Sequence, residues 1–409
     1  MRQVILTALG TSSYSPITYA WDRFPHSPEV TDVFPLALAN WFPDFELRVL
    51  LTKEAKQAPP WARVRKTLGD RAVPLDIPSG NDVDDVWMIF DTVVGALEGA
   101  QEAVFDITHA FRSIPLVALL SAAYAKEAYG VRLDALVYGA FEARRPLRTP
   151  AQADDVAPVF DLAGFLPLFD WLTATHTFLR TGDSRELAEE MRQAVSGSKP
   201  IGQLAEALED LSLGLELSRP AQVRREADRL QRAAGGLQQS PDLRLAPMRR
   251  LLGRVSEAYA KLAGEEDLAP KQQLGREFAL IKWYVENGHL VQAATLASEW
   301  LVTHACWRLK CRADTRGGRN CARDAMCGHL EPTDRTRQYN ETMAAAAKAA
   351  LATLRDADAK AWRTAWQEVS RIRNEIAHCG TGHRKPAEAS KLAQDVRQIP
   401  RLLAPLLPR

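Results

Sequence analysis

The sequence is short of cysteine, of charge of one sign and of long apolar runs. Five cysteines in 409 residues, an odd number with four of them between Cys306 and Cys327, argue against a secreted disulfide framework. With 52 basic and 51 acidic side chains the net charge is +1, so no global field announces nucleic acid, and any such contact must be local. No stretch approaches the roughly 18 apolar residues of a membrane helix. The opening M-R-Q-V-I-L-T-A-L-G is too short an apolar run for a signal peptide, and the expected compartment is the cytoplasm. Neither G-x-G-x-x-G nor G-x-x-x-x-G-K-S/T occurs after the first strand, so dinucleotide and nucleoside-triphosphate binding lack their usual signatures. No internal repeat is evident, and the alanine run at 344–350 is simply strong helix former.

What is present is an ordinary globular composition, 46% apolar and 25% charged, in a chain long enough for two or three domains. Residues 1 to about 180 alternate short apolar strands (Val4–Leu9, Phe45–Thr52, Val73–Ile77, Ala103–Thr108, Leu133–Tyr138) with helical patterns, among them Val83–Leu97 and Ile114–Tyr129. That alternation predicts a parallel sheet covered on both faces, an α/β Rossmann-like unit, with a trailing hairpin over Gly139–Arg148 and Val159–Leu162. From about 181 to 409 the pattern is helical throughout. Helices are expected at Leu187–Val195, 201–217, Leu243–Leu262, Gln272–Glu286, Leu290–Arg308, Ala344–Leu354, Ala359–His378 and Ala387–Leu406, with a breaker at Gly235-Gly236 and a loop from Cys311 to Thr336.

Three stretches carry chemistry. In a parallel sheet ligands gather at the carboxyl edge, where L-G-T-S-S-Y (9–14) and D-I-T-H-A-F-R-S-I-P (106–115) both fall. Hydroxyls, helix-start amides, one His and one Arg there make an anion pocket, or else Thr11 and Ser113 cap turns and Arg112 pairs with a carboxylate. The third stretch is S-R-I-R-N-E-I-A-H-C-G (370–380), the end of a helix whose apolar side runs Trp362, Trp366, Val369, Ile372, Ile376. Arg373, Asn374 and His378, on or beside its polar side, supply a phosphate-holding guanidinium, an orienting amide and a proton-transfer imidazole. The alternative is a solvated helix end with a His against the dipole. Cys306, Cys311, Cys321 and Cys327, with His304 and His329 nearby, hold the ingredients of a zinc site at spacings that match no standard knuckle; otherwise they are free thiols in an Arg-rich loop.

Taken together, V-I-L-T-A-L-G-T-S-S-Y (4–14), D-I-T-H-A-F-R-S-I-P (106–115), Y-V-E-N-G-H-L-V-Q-A-A-T-L-A-S-E-W (284–300) and R-N-E-I-A-H (373–378) resemble the CARF–HEPN family of CRISPR-associated ribonucleases of type III systems. The resemblance implies a CARF-like domain at 1–180 binding cyclic oligoadenylate as allosteric activator. It implies a helical domain at 181–409 ending in a HEPN nuclease, with about 218–270 as an insertion. It places Gly10, Thr11, Ser12, Ser13, Tyr14, Thr108, His109, Phe111, Arg112 and Ser113 against the messenger, and makes Arg373, Asn374 and His378 catalytic. The implied enzyme is a homodimeric endoribonuclease that needs no metal or other cofactor. It cuts single-stranded RNA by 2′-OH attack, with neither DNA nor membrane as partner. Some relatives also degrade their activator, through residues such as Thr11, Ser12 or His109 here. The rival readings are a sensor, or a ring nuclease, whose helical half only dimerises or binds a partner.

Overall fold

The structure, a computed structural model, describes residues 2–110, 114–194, 199–237, 246–264, 268–328, 341–352, 354, 356–381 and 386–408. The chain divides into two compact units, Met1–Phe169 and Asp170–Arg409.

The first unit is built on strands β1 (Gln3–Ala8), β2 (Ile17–Ala20), β3 (Glu29–Thr31), β4 (Glu46–Leu51), β5 (Ala72–Asp76), β6 (Glu102–Asp106), β7 (Arg132–Gly139) and β8 (Val156–Asp161). They lie in the order β3-β2-β8-β7-β6-β1-β4-β5. From β7 to β5 the pairing is parallel, as the sequence predicts. β8 runs antiparallel to β7, so the trailing hairpin forms with β7 itself, and Arg145 and Val156 add a bridge beyond it. β2 and β3 extend the edge unannounced by sequence, because strands of four and three residues are too short to show a period of two. The sheet is therefore mixed rather than purely parallel.

Alternation along the central strands buries both faces. Ile5, Val49, Val104 and Val137 pack under α1 (Phe34–Trp41) and α2 (Pro59–Leu68), through Phe34, Leu38, Trp41, Trp61 and Val64. Val4, Leu6, Ala103, Phe105 and Leu136 face α3 (Val83–Gly95) and α4 (Ile114–Tyr129), through Ile89, Val93, Val117 and Ala122.

The second unit is helical: α5 (Pro167–Thr181), α6 (Arg185–Ala194), α7 (Lys199–Glu216), α8 (Pro220–Leu237), α9 (Ala246–Tyr259), α10 (Pro270–Glu286), α11 (Leu290–Leu309), α12 (Arg316–Cys327), α13 (Glu341–Ala352), α14 (Asp356–Ala377) and α15 (Ala389–Leu403). Two hairpins in it, α7–α8 and α10–α11, share a pattern that sequence reading passes over. Ser218 and Gly288 turn with φ of 51° and 79°. Arg219 N–H bonds the Gly214 carbonyl at 2.8 Å, as His289 N–H bonds that of Tyr284 at 2.8 Å. Leu204, Leu208, Leu211 and Ala227 in one recur as Leu274, Phe278, Ile281 and Ala297 in the other. Few of these pairs are identical, so the likeness resides in the turn and the buried stripe.

α8, with Val223, Ala227, Leu230 and Ala234 buried, reaches Leu237, so the expected close at Gly235-Gly236 falls within one residue of the described end; residues 238–245 lie outside the described residues. The expected Cys311–Thr336 loop contains α12, opened by Thr315, whose hydroxyl accepts from Gly318 N–H at 3.1 Å, and closed by Gly328 at φ 84°. Cys321, Ala322, Ala325 and Met326 form its buried side against α11, while the Gly and Arg content masked that period. Trp362 on α14 and Trp300 on α11 are wholly buried, and each indole N–H is satisfied, by Leu301 and Leu274 carbonyls at 3.0 and 2.8 Å. The first of these bonds ties α14 directly to α11.

Gly318 sits where a Cβ would overlap the Arg312 carbonyl oxygen, a backbone atom that cannot swing aside. Gly318→Ala is expected to cost about 1–3 kcal/mol, read as an earlier midpoint in a denaturant melt. An unchanged midpoint would show that the α11–α12 turn can yield.

Candidate functional site

The first candidate site lies at the carboxyl edge of β1 and β6, which are neighbours in the sheet. Their following loops are therefore side by side. Asp106, 4% exposed, joins them: Thr7 on β1 donates its hydroxyl to Oδ2 at 2.6 Å, and Thr108 N–H donates to Oδ1 at 2.8 Å. The Thr108 hydroxyl oxygen accepts from Gly139 N–H at 2.8 Å, which adds the end of β7 to the network. Burial pushes the Asp106 carboxyl up to about 6, with the Thr7 and Thr108 donors pulling the other way.

His109 Nε2 accepts Phe34 N–H at 3.1 Å, at the start of α1, so the proton of the neutral ring belongs on Nδ1. Burial depresses the imidazole to about 4, which keeps it neutral at physiological pH. Tyr14 lies against that ring, centroids 3.9 Å apart, with its hydroxyl bonded to the Gly10 backbone. Gly10, Thr11, Ser12 and Ser13 make the rim, and the Thr11, Ser12 and Ser13 side chains are exposed. Phe111, Arg112 and Ser113 lie outside the described residues. The arrangement thus offers free hydroxyls over a preset Tyr–His pair. Asp106 and Thr7, which hold it together, were not singled out from sequence; the sequence cue was the Asp opening D-I-T-H.

The second candidate site is the end of α14, in the helical unit. Gly380 N–H bonds the Glu375 carbonyl at 3.1 Å and Cys379 N–H bonds that of Ile376 at 3.1 Å, the paired bonds of a Schellman cap. Cys379 and Gly380 are left-handed, φ 51° and 72°. His378 is thereby the last residue before the reversal. Its N–H bonds Asn374 O at 2.9 Å, and its carbonyl accepts Thr381 N–H at 2.9 Å and the Thr381 hydroxyl at 2.5 Å. With both backbone ends fixed, only the exposed imidazole is free to turn.

The two arginines nearby differ sharply. Arg371 bonds Asp395 Oδ2 at 2.7 Å and Glu368 Oε2 at 3.1 Å, with Glu375 Oε2 at 3.7 Å. Its charge is spent on carboxylates. Arg373 Nη1 donates to the neutral Asn374 Oδ1 at 2.8 Å, and the side chain is exposed. Arg373, Asn374 and His378 are thus together at one helix end, with the guanidinium's charge uncompensated by that bond. The polar residue missed here is Glu375, 7% exposed, which accepts Ala387 N–H and so fastens the approach to α15.

The cysteines from Cys306 to Cys327 lie on two helices and the turn between them. Cys306 lies on α11, Cys321 and Cys327 on α12 and Cys311 between, all as free thiols. Burial raises all four, Cys306 to about 11 and Cys311 to about 12, and Cys311 and Cys321 are hydrogen-bonded to each other with Cys306 close to both. Among the described residues no group of three His, Cys, Asp or Glu is placed to hold a metal ion. His304 is stacked on Trp300, centroids 5.4 Å apart, and His329 is outside the described residues. The neighbouring arginines are largely paired: Arg312 with Asp314, Arg319 with Glu299, Arg323 with Asp324. Among the described residues no helix is long and apolar enough to cross a membrane.

Asp106→Asn should remove one pH dependence. The raised carboxyl stabilises the fold below pH about 4 and loses that contribution as pH rises to about 6, on the order of 2–3 kcal/mol. His109 acts oppositely, its contribution being lost as pH falls from about 6.5 to about 4. The stability difference between wild type and D106N across pH 4–7 isolates the first effect; a flat difference would refute it. Cys379→Gly should raise stability by about 0.5–1 kcal/mol by relieving the left-handed Cβ, measured by melting; a loss would contradict this view of the cap.

Residues 167–267 match a family model, that of CRISPR-associated protein MJ1674, second domain. That segment runs from the start of α5 past α9 and includes most of the stretch read as an insertion. The CRISPR-associated protein MJ1674 of Methanocaldococcus jannaschii is 30% identical over 111 residues. The alignment spans 26% of this chain and 16% of that relative.

Proposed function

We propose that this protein is a cytoplasmic endoribonuclease of type III CRISPR defence, switched on by cyclic oligoadenylate and cutting single-stranded RNA. The observation that carries the reading is the exposed Arg373–Asn374–His378 group on a capped helix end, with the neighbouring Arg371 neutralised by carboxylates. A solvated structural helix end has no use for a guanidinium held ready by an amide. The match to a domain of a CRISPR-associated protein supports the setting.

RNA brings its own nucleophile. The 2′-OH attacks the adjacent phosphorus, the 5′-oxygen of the next nucleotide leaves, and the products are a 2′,3′-cyclic phosphate and a 5′-hydroxyl. His378 transfers a proton, Arg373 stabilises charge on the phosphorane-like state, and Asn374, through its bond to Arg373, orients the guanidinium. One helix end cannot surround a phosphate, so two copies would face each other across a two-fold axis. An apolar face is available for pairing: Trp87 and Met88 on α3, 65% and 58% exposed, continue through the Phe90–Tyr124 ring contact into Leu116, Leu120 and Tyr124 on α4. Monomers rarely expose so many large apolar side chains together. The messenger would sit on the Gly10–Tyr14 and Thr108–His109 loops and bias that pairing.

The test is cleavage of labelled RNA in EDTA, with and without cyclic tetra- or hexa-adenylate. Activator-dependent cleavage to cyclic-phosphate ends is expected. His378→Ala should slow it by about 10²–10⁴-fold and Arg373→Ala by about 10²–10³-fold. Cleavage that needs no activator, or that survives His378→Ala, contradicts the proposal.

A further inference from the structure

Beside His378 runs an open groove of about 470 Å³ that neither the capping bonds nor the proposed chemistry uses. Ile376, Pro386 and Leu392 give it apolar walls, and Cys379 and Thr381, the residues just past His378, form its rim. Its polar feature is the side chain of Glu375, one helical turn before His378 and so on the same side of α14. That carboxylate is 7% exposed and incompletely used. Oε1 accepts the Ala387 N–H, while Oε2 looks at an Arg371 guanidinium 3.7 Å away that is hydrogen-bonded to Asp395 and Glu368 instead. An ionised carboxylate has about four acceptor positions and no donor. The Glu375 carboxylate, which lines the groove, therefore retains acceptor capacity.

We infer that this groove seats the base of a nucleotide flanking the scissile phosphate, and that Glu375 selects bases bearing an exocyclic amino group over uracil. The inference rests on the nuclease reading above. The volume admits a purine, and apolar walls of Ile376, Pro386 and Leu392 can receive an unstacked base, the form in which single-stranded RNA is read. Adenine, cytosine and guanine each offer an amino group to a carboxylate. Uracil sets a carbonyl oxygen on either side of its one N–H, and those oxygens meet the carboxylate's charge. The phosphate would lie toward His378, on the groove's side of α14, while Arg373, two residues before Glu375, faces nearly the opposite side of the helix.

Glu375→Gln separates this selection from the cap. Its carbonyl oxygen can still accept the Ala387 N–H, while the amide N–H₂ replaces the carboxylate's remaining acceptor. Activated wild type is offered RNA containing every dinucleotide, and product ends are sequenced. Cleavage beside A, C or G is expected to exceed cleavage beside U by about tenfold, the worth of one hydrogen bond to a charged group, with the bias lost or reversed in E375Q. Cleavage without base preference, or an unchanged preference in E375Q, overturns the inference and leaves the nuclease intact. If no RNA is cut, the nuclease reading fails, and binding decides the groove. Uncleavable 2′-O-methyl oligo-A should then bind more tightly than oligo-U in wild type, with the difference abolished in E375Q and in the groove-filling Leu392→Trp. Equal binding of the two oligomers by wild type overturns it.

Discussion

The left-handed reversal at Cys379 and Gly380 fixes where α14 ends, and the chemistry at the C-terminal site depends on that position. Holding a non-glycine residue left-handed costs about 1–2 kcal/mol. Against it stand the Gly380 and Cys379 amide bonds, the Thr381 hydroxyl bond and the Glu375–Ala387 bond, each worth about 1 kcal/mol net. The bonds prevail together, so the helix stops with His378 projecting. Further back, the buried Trp362 ties the helix to α11 through its indole bond, which keeps the projection in a constant frame.

The sheet edge follows the same logic with a different device. A carboxyl buried between β1 and β6 is costly unless donors meet it. Thr7 and Thr108 do so, and in answering that need they set the two loops at one level. His109 then serves less as a free ligand donor than as a strut, bonded to the first turn of α1 and backing Tyr14. The helix end places its residues by backbone closure and leaves the His378 side chain exposed, whereas the sheet edge is tied by side-chain bonds that leave Thr11, Ser12 and Ser13 exposed over a partly buried Tyr14 and His109.

How far this was legible depends on which residues carry the signal. Helices such as Ile114–Tyr129 and strands such as Val4–Leu9 declared themselves because apolar periodicity is a local property. α12 hid because its apolar side is made of Cys, Ala and Met among glycines and arginines, and its start depends on the single Thr315 cap. β2 and β3 hid because they are too short. Arg373, Asn374 and His378 could be named from spacing. Which arginine is free could not, since it is decided by Asp395 on α15, remote in sequence. Glu375 went unnoticed for a similar reason: its partner, Ala387, lies beyond the loop.

In the proposed mechanism two such helix ends meet when messenger is bound, and the exposed Cys379 sits beside the imidazole in question. The most direct measurement is the distance between spin labels attached at Cys379 in the two copies, with and without cyclic tetra- or hexa-adenylate. The account predicts a ligand-dependent, narrow and short distance between the two labels. A label that reports no partner, or two labels whose separation is broad, long and indifferent to the messenger, would contradict it.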